Sequence, residues 1–348
     1  MTFSRFEAIG TYLPSRVVTT DELIGQLAEP PTFDFAAVTG VQERRFRSTD
    51  PDDLEDSFTL ACKAVDECLA RSRYEAEDLD VVISTSITRT RGERMYFEPS
   101  FAAVLAQRIG AHRAIHFDLS NACAGMLTGT YILDAMIRSG AARRGIVVSG
   151  EAITPIAETA VREISEKYDL QFASLSVGDS ASAVVLDESV DEADRIHYVD
   201  LMTAAEYADA CLGMPSEKTQ GIALYTDNRR MHNESRFKLW TDAQGEYLDA
   251  TGRSFGEEGF DYIIHHQFGA SAVNYMNELA EREFGVPMPP SPGVVEKYGN
   301  TSTTSHFVVL HDCLQQRSIP KGSKILMVPA ASGIVTGYLS TTITSLEA

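Results

Sequence analysis

The segment Leu79-Asp80-Val81-Val82-Ile83-Ser84-Thr85-Ser86 is an apolar run of strand length that turns polar at its carboxyl end, and Phe260-Asp261-Tyr262-Ile263-Ile264-His265-His266-Gln267 repeats it. After the first run come a small-residue turn around Cys123, a helical pattern through Ile132, Met136 and Ile137, and the strand pattern Gly145 to Gly150. After the second come Tyr298-Gly299-Asn300-Thr301-Ser302, a helical pattern from Phe307 to Leu314, and the strand pattern Lys324 to Val328. Spacings agree: 43 residues from Asp80 to Cys123 (123 − 80) against 39 from Asp261 to Asn300 (300 − 261), then 23 to Ile146 and 25 to Ile325. Strands alternating with helices predict an α/β protein, and the duplication predicts two similar mixed sheets with helices between and outside them, in layers α-β-α-β-α. We place the halves at residues 1–172 and 173–348.

A pseudo-twofold relation between the halves has a chemical consequence. Cys123 and Asn300 then occupy equivalent turns that can face each other, and His266 ends a central strand beside them. Cysteine with a neighbouring His and Asn suits nucleophilic chemistry: imidazole moves the proton, the amide donates hydrogen bonds, and a helix start favours the thiolate. Read from its own run, Asp118 to Met126, Cys123 is equally a small buried residue beside a tight turn.

Composition narrows the remaining classes. The chain has 348 residues, 44% hydrophobic and 23% charged, which suits a folded globular protein with a large core. A net charge of −20 argues against nucleic acid or an anionic membrane as partner. The start, Met1 to Pro14, has no signal-peptide layout and no apolar run spans a bilayer, so a cytoplasmic protein is expected. Five cysteines without a Cys-x-x-Cys pair read as reduced thiols, with Cys62 and Cys68 packing inside a helix over residues 58–69. No cofactor is expected, and His265-His266 lacks a third ligand at metal-site spacing.

At these residues the chain resembles the thiolase superfamily of condensing enzymes, in its ketoacyl synthase III type. Asp118 to Gly125 is similar to that family's nucleophile motif, His266-Gln267 to its His-Gln motif, and Tyr298 to Ser302 to its Tyr-Gly-Asn-Thr-Ser motif. Val177 to Val185 is similar to its Gly-Asp-Gly-Ala segment, with Ser180 in place of the second Gly. The resemblance implies a thiolase-like duplicated fold and a homodimer. It further implies that Cys123 is acylated by a thioester donor, with His266 and Asn300 serving the second half-reaction. The backbone N–H groups of Cys123 and Ser332 are implied as the oxyanion donors, although the turn Pro329 to Gly337 holds less Gly than the family pattern.

Two departures shift the expected substrates. Asp34 and Val38 stand where relatives that use coenzyme A carry a Trp and an Arg that clamp the adenine, which favours acyl carrier protein as donor or a different coenzyme A pose. An acidic carrier needs a local basic patch, for which Arg143-Arg144 and Arg229-Arg230 are the candidates. Glu98, in Phe97-Glu98-Pro99-Ser100, resembles a glutamate of head-to-head olefin synthases and of pyrone- or resorcinol-forming ketosynthases. There it reaches the partner subunit's site and deprotonates the α-carbon of a bound thioester. A carboxylate in a dry acyl tunnel has a raised pKa, which suits a base, whereas a helix-capping role needs no dimer.

The reaction expected is therefore a ping-pong Claisen condensation of two acyl thioesters, β-ketoacyl chains of a polyketide or pyrone pathway, carried on acyl carrier protein or coenzyme A. The alternatives are decarboxylative extension with malonyl carrier protein, acyl transfer to a hydroxyl or amine, and a scaffold with a vestigial site. Insertions at 88–96 and 204–240 are expected to shape the tunnels.

Overall fold

The structure, a computed structural model, describes residues 2–92 and 94–348. Glu93, inside the expected 88–96 insertion, and Met1 at the expected leaderless start lie outside the described residues.

Two sheets organise the chain. The first contains β1 (Phe3–Tyr12), β2 (Val81–Ser84), β3 (Ile115–Asp118), β4 (Arg144–Glu151) and β5 (Ser180–Ser189), in the order β1-β5-β4-β2-β3. The second contains β6 (Arg195–Thr203), β7 (Tyr262–His265), β8 (Ser323–Val328) and β9 (Val335–Ile343), in the order β6-β9-β8-β7. Matching the strands gives the same topology twice, with parallel pairs β2–β4 and β7–β8 at the two centres. The third strand of the second half is missing for a covalent reason. Residues 288–290 run beside β7, and Ile263 N–H donates to the Pro290 carbonyl at 3.0 Å, but Pro289 and Pro290 have no N–H with which to continue a ladder.

The duplication extends to the first residue of each module. Asp80 accepts from the N–H groups of Arg143 and Arg144, and Asp261 accepts from that of Lys324, so each aspartate fastens its strand to the start of the neighbouring one. The strands are apolar almost throughout because both faces are covered. Val81, Ile83 and Val147 face inward with Ile264, Ile325 and Met327, against helices α3 (Gly125–Arg138) and α6 (Ser305–Gln315). The alternate residues Val82, Ile146 and Val148 pack outward on α1 (Ser57–Arg71) and α2 (Phe101–Ile109). Ile263, Leu326 and Val328 do the same against α4 (Glu234–Ala250) and α5 (Ala270–Phe284). The five layers are those expected.

The division at residue 172 does not coincide with the sheets. β5 returns from the far side of that point to pair with both β1 and β4, so the sheet boundary lies between Ser189 and Arg195. Cys62 and Cys68 are buried in α1, as expected, where Gly10 lets β1 approach so closely that an added Cβ would stand 2.4 Å from the Cys68 nitrogen. Among the described residues no helix is long and apolar enough to cross a membrane.

Asp179, in the segment Val177 to Val185, is fully buried and accepts from the N–H groups of Arg47, Ile153 and Thr154 and from the Thr154 hydroxyl. Asp179→Ala leaves three backbone donors without this acceptor, and stability should fall by about 3 kcal/mol or more. Urea unfolding measures it; a loss below about 1 kcal/mol would mean that water replaces the carboxylate.

Candidate active site

Cys123 stands on a one-turn 3₁₀ segment, Ala122–Ala124, that leads into α3; Ser302–Thr304 leads into α6 in the same way. In both turns the first residue is a non-glycine at positive φ, Ala122 at 45° and Ser302 at 58°. Such backbone costs about 1–3 kcal/mol per residue and persists where surrounding structure fixes it. The turns therefore align Cys123 with Thr303 rather than with Asn300. On that alignment both intervals to the next central strand are 22 residues (145 − 123 and 325 − 303). Asn300 comes three residues earlier, on the approach to its turn.

The approach to Asn300 depends on Gly299, whose φ of 64° and ψ of −156° belong to glycine, and an added Cβ would stand 2.3 Å from the Ser176 carbonyl. Asn300 N–H donates to Ser176 and its carbonyl accepts from Gly178 N–H. Its side-chain Oδ1 accepts from Ser302 N–H at 2.9 Å. A backbone N–H can only donate, so this bond identifies the oxygen and leaves the Nδ2 donor for the cavity.

His265 and His266 point to opposite faces, as consecutive strand-end residues must. His265 lies in the outer layer, with Nε2 on Asn277 Oδ1 at 2.8 Å and the ring against Trp240. His266 faces the cavity. Gln267 acts as a strut: its amide donates to the His265 carbonyl and accepts from Val294 N–H, which accounts for a Gln after the histidine. Burial, with smaller electrostatic contributions from His306 and Arg236, holds the His266 imidazole well below the usual histidine range.

Cys123, His266, Asn300 and Ser332 all line one cavity of about 610 Å³. Cys123 Sγ lies 3.8 Å from the Ser302 hydroxyl. Burial pushes its thiol up to about 12, against weaker help from that hydroxyl and from its own N–H. The expected thiolate at a helix start is thus overruled by desolvation: the resting pair is neutral thiol and neutral imidazole. At neutral pH the thiol form dominates, so alkylation of Cys123 by iodoacetamide should rise about tenfold per pH unit and still be climbing at pH 10. A plateau below pH 8 would contradict this.

Ser332 follows the two-residue strand Ala330–Ala331, and Ala331 packs with Ala124 beside the nucleophile turn. Glu98 is exposed and does not line the cavity of its own chain. It does not cap α2 either; Ser100 Oγ accepts from Ala103 N–H, and the Asp118 carboxylate accepts from Phe101 and Ala102. Asp34 caps the short helix Phe35–Thr39, while Val38 lines the cavity mouth. Arg229-Arg230 adjoins cavity-lining Asn228 and Met231, with Arg230 held by Asp209; Arg143-Arg144 begins β4, at the opposite end of that strand from the active-site side.

Three neighbours were not singled out from the sequence. Ser302 touches the thiol. Glu151, fully buried, takes the hydroxyls of Ser149, Thr88 and Thr303 behind the turn, and burial raises its pKa. Arg236, also buried, lines the cavity from the first turn of α4.

The family model for 3-oxoacyl-(acyl-carrier-protein) synthase III matches residues 117–205, and that for the C-terminal part of the same enzymes matches 253–342. The β-ketoacyl-(acyl-carrier-protein) synthase III of Streptococcus mutans is 26% identical over 344 residues, covering 97% of this chain and 98% of its own. That of Aquifex aeolicus is 27% identical over 336 residues, covering 94% and 96%. Among solved structures, Xanthomonas campestris OleA with bound lauric acid and lauroyl-CoA superposes with a TM-score of 0.83 at 21% identity, covering 98% and 99% of the two chains. The Aquifex aeolicus 3-oxoacyl synthase III structure superposes with a TM-score of 0.76 at 22% identity, covering 97% and 99%. These structures share the fold.

Proposed function

Because the chain belongs to the 3-oxoacyl-(acyl-carrier-protein) synthase III family of acyl-condensing enzymes, we propose that it joins two acyl thioesters by a ping-pong Claisen condensation without decarboxylation. The convergence of Cys123, His266 and Asn300 on one cavity supports condensation through an acyl–cysteine, and the observation that carries the base-driven form is Glu98, exposed beside the solvent-facing Phe97 where a second subunit could receive it. In the first half-reaction Cys123 Sγ attacks the thioester carbonyl, the carbon–sulfur bond to the carrier breaks, and the carrier thiol leaves with the proton. The neutral imidazole of His266 is the acceptor through which the thiol proton passes. Cys123 and Ser332 N–H groups hold the oxyanion; a donor of this kind is worth about 3 kcal/mol in the transition state.

In the second half-reaction His266 and Asn300 Nδ2 polarise the carbonyl of the second thioester, and a base removes its α-proton. The carbanion attacks the acyl–Cys123 carbonyl, a carbon–carbon bond forms, and the Cys123 thiolate leaves. The base assigned is the partner subunit's Glu98, since this chain's own Glu98 is exposed and no carboxylate lies among the described residues that line the cavity. Catalysis then requires a homodimer. β-Ketoacyl chains on acyl carrier protein or coenzyme A are the substrates proposed.

Decarboxylative extension with a malonyl thioester is the second reading, supported by the likeness to β-ketoacyl-(acyl-carrier-protein) synthases III. A mixed incubation tests the reaction type. Two different acyl thioesters, with no malonyl donor present, should yield all four β-keto pairings, seen as three masses with the two mixed isomers separated by fragmentation; an ester or amide as sole product would make the protein an acyltransferase.

A further inference from the structure

Arg236 is the single permanently charged residue among the described residues that line the cavity, in a chain with 50 acidic and 30 basic residues. It is 6% exposed, and its guanidinium has one hydrogen bond, to the Met231 carbonyl, with the Phe237 ring beside it. No carboxylate among the described residues pairs with it. Its position makes the charge more exacting: it occupies the first turn of α4, where the helix N-terminus is itself positive, and its own N–H donates to the Asn233 cap. Burial lowers the guanidinium pKa to about 10. A desolvated cation facing a cavity is costly until the occupant supplies a negative charge.

We propose that Arg236 is an anion anchor, so that one of the two acyl groups joined here carries a carboxylate, remote from the reacting carbons, that the reaction retains. The inference rests on reading the cavity as the acyl-thioester site. Retention follows from energetics. A guanidinium paired to a carboxylate about to leave as CO₂ stabilises the ground state more than the transition state, and so slows decarboxylation. The same pairing on a spectator anion positions the acyl chain without opposing the chemistry. The carrier's phosphate is a poorer occupant, because a pantetheine arm holds it far from Cys123, with which Arg236 shares the cavity.

Competition experiments on one carrier test this, with acyl chains of equal length offered in pairs: ω-carboxyacyl against methyl-ended acyl, and β-ketoacyl against saturated acyl. Incorporation into acyl–Cys123 and into product is read by mass spectrometry for wild type, Arg236→Gln and Arg236→Lys. Wild type should prefer the ω-carboxyacyl chain at least tenfold, and a preference confined to the β-ketoacyl pair would overturn the carboxylate assignment. Arg236→Gln should lose that preference by about tenfold to a hundredfold, measured as the ratio of anionic to neutral chains, and Arg236→Lys should retain part of it. Absence of any preference in wild type overturns the proposal without requiring a variant to fold. An equal loss for neutral and anionic chains overturns it in favour of a carrier contact. Condensation of neutral chains by wild type would still uphold the proposed reaction, so the two failures are distinguishable.

Discussion

Cys123→Ala is expected to take up no acyl group from any thioester and to lose condensation by at least about 10⁴-fold. Ping-pong chemistry routes every turnover through the sulfur, so no parallel path is left to sustain the rate. The variant should fold normally, because the residue stands between Ala122 and Ala124 in a turn already lined by small side chains. Cys211 makes peptide mapping necessary. It lines the same cavity, yet it lies on a strand with its sulfur 3.3 Å from the Thr226 hydroxyl and has no helix start behind it. An acyl adduct mapped to Cys211, or retained in Cys123→Ala, would contradict the assignment.

Glu98→Gln should acylate Cys123 at the normal rate and condense about 10²- to 10⁴-fold more slowly, since general-base catalysis contributes on that order. Loading needs no carbanion and therefore no Glu98. The neighbours Phe97, 83% exposed, and Met95, 52% exposed, are apolar side chains left in solvent by this chain, and a second copy laid over this loop would cover them while delivering the carboxylate. A mixed dimer distinguishes the arrangement. Cys123→Ala and Glu98→Gln are each inactive alone, but a heterodimer pairs one intact Cys123 with the other subunit's intact Glu98, so about half of its sites' activity should return. No recovery on mixing, with subunit exchange verified, would place Glu98 in its own subunit's chemistry or outside it.

Much of this was legible in the chain because the physical signals are local. The apolar runs of β2, β4, β7 and β8 are continuous since both faces are buried, and the turns carry the residue types that their geometry requires, Gly299 above all. What escaped the sequence depends on tertiary context. The matching of Cys123 to Asn300 fails by three residues because equivalence lies in the positive-φ positions Ala122 and Ser302, which no side-chain pattern marks. The place of strand β5 in the first sheet is not marked locally, because its partners β1 and β4 are distant in sequence. The helix start at Cys123 is a local signal, whereas the burial that raises its thiol pKa depends on tertiary packing. Arg236 sits within a segment expected only to shape the tunnels, and nothing near it in sequence shows that it faces the cavity.

The most direct test of the account is carbon accounting. Wild-type protein is given equal amounts of an unlabelled β-ketoacyl thioester and a malonyl thioester labelled with ¹³C in its free carboxyl, and both product mass and ¹³CO₂ are followed. The account predicts products that retain every carbon of two acyl groups, formed without labelled CO₂. Release of one ¹³CO₂ for each product would contradict it.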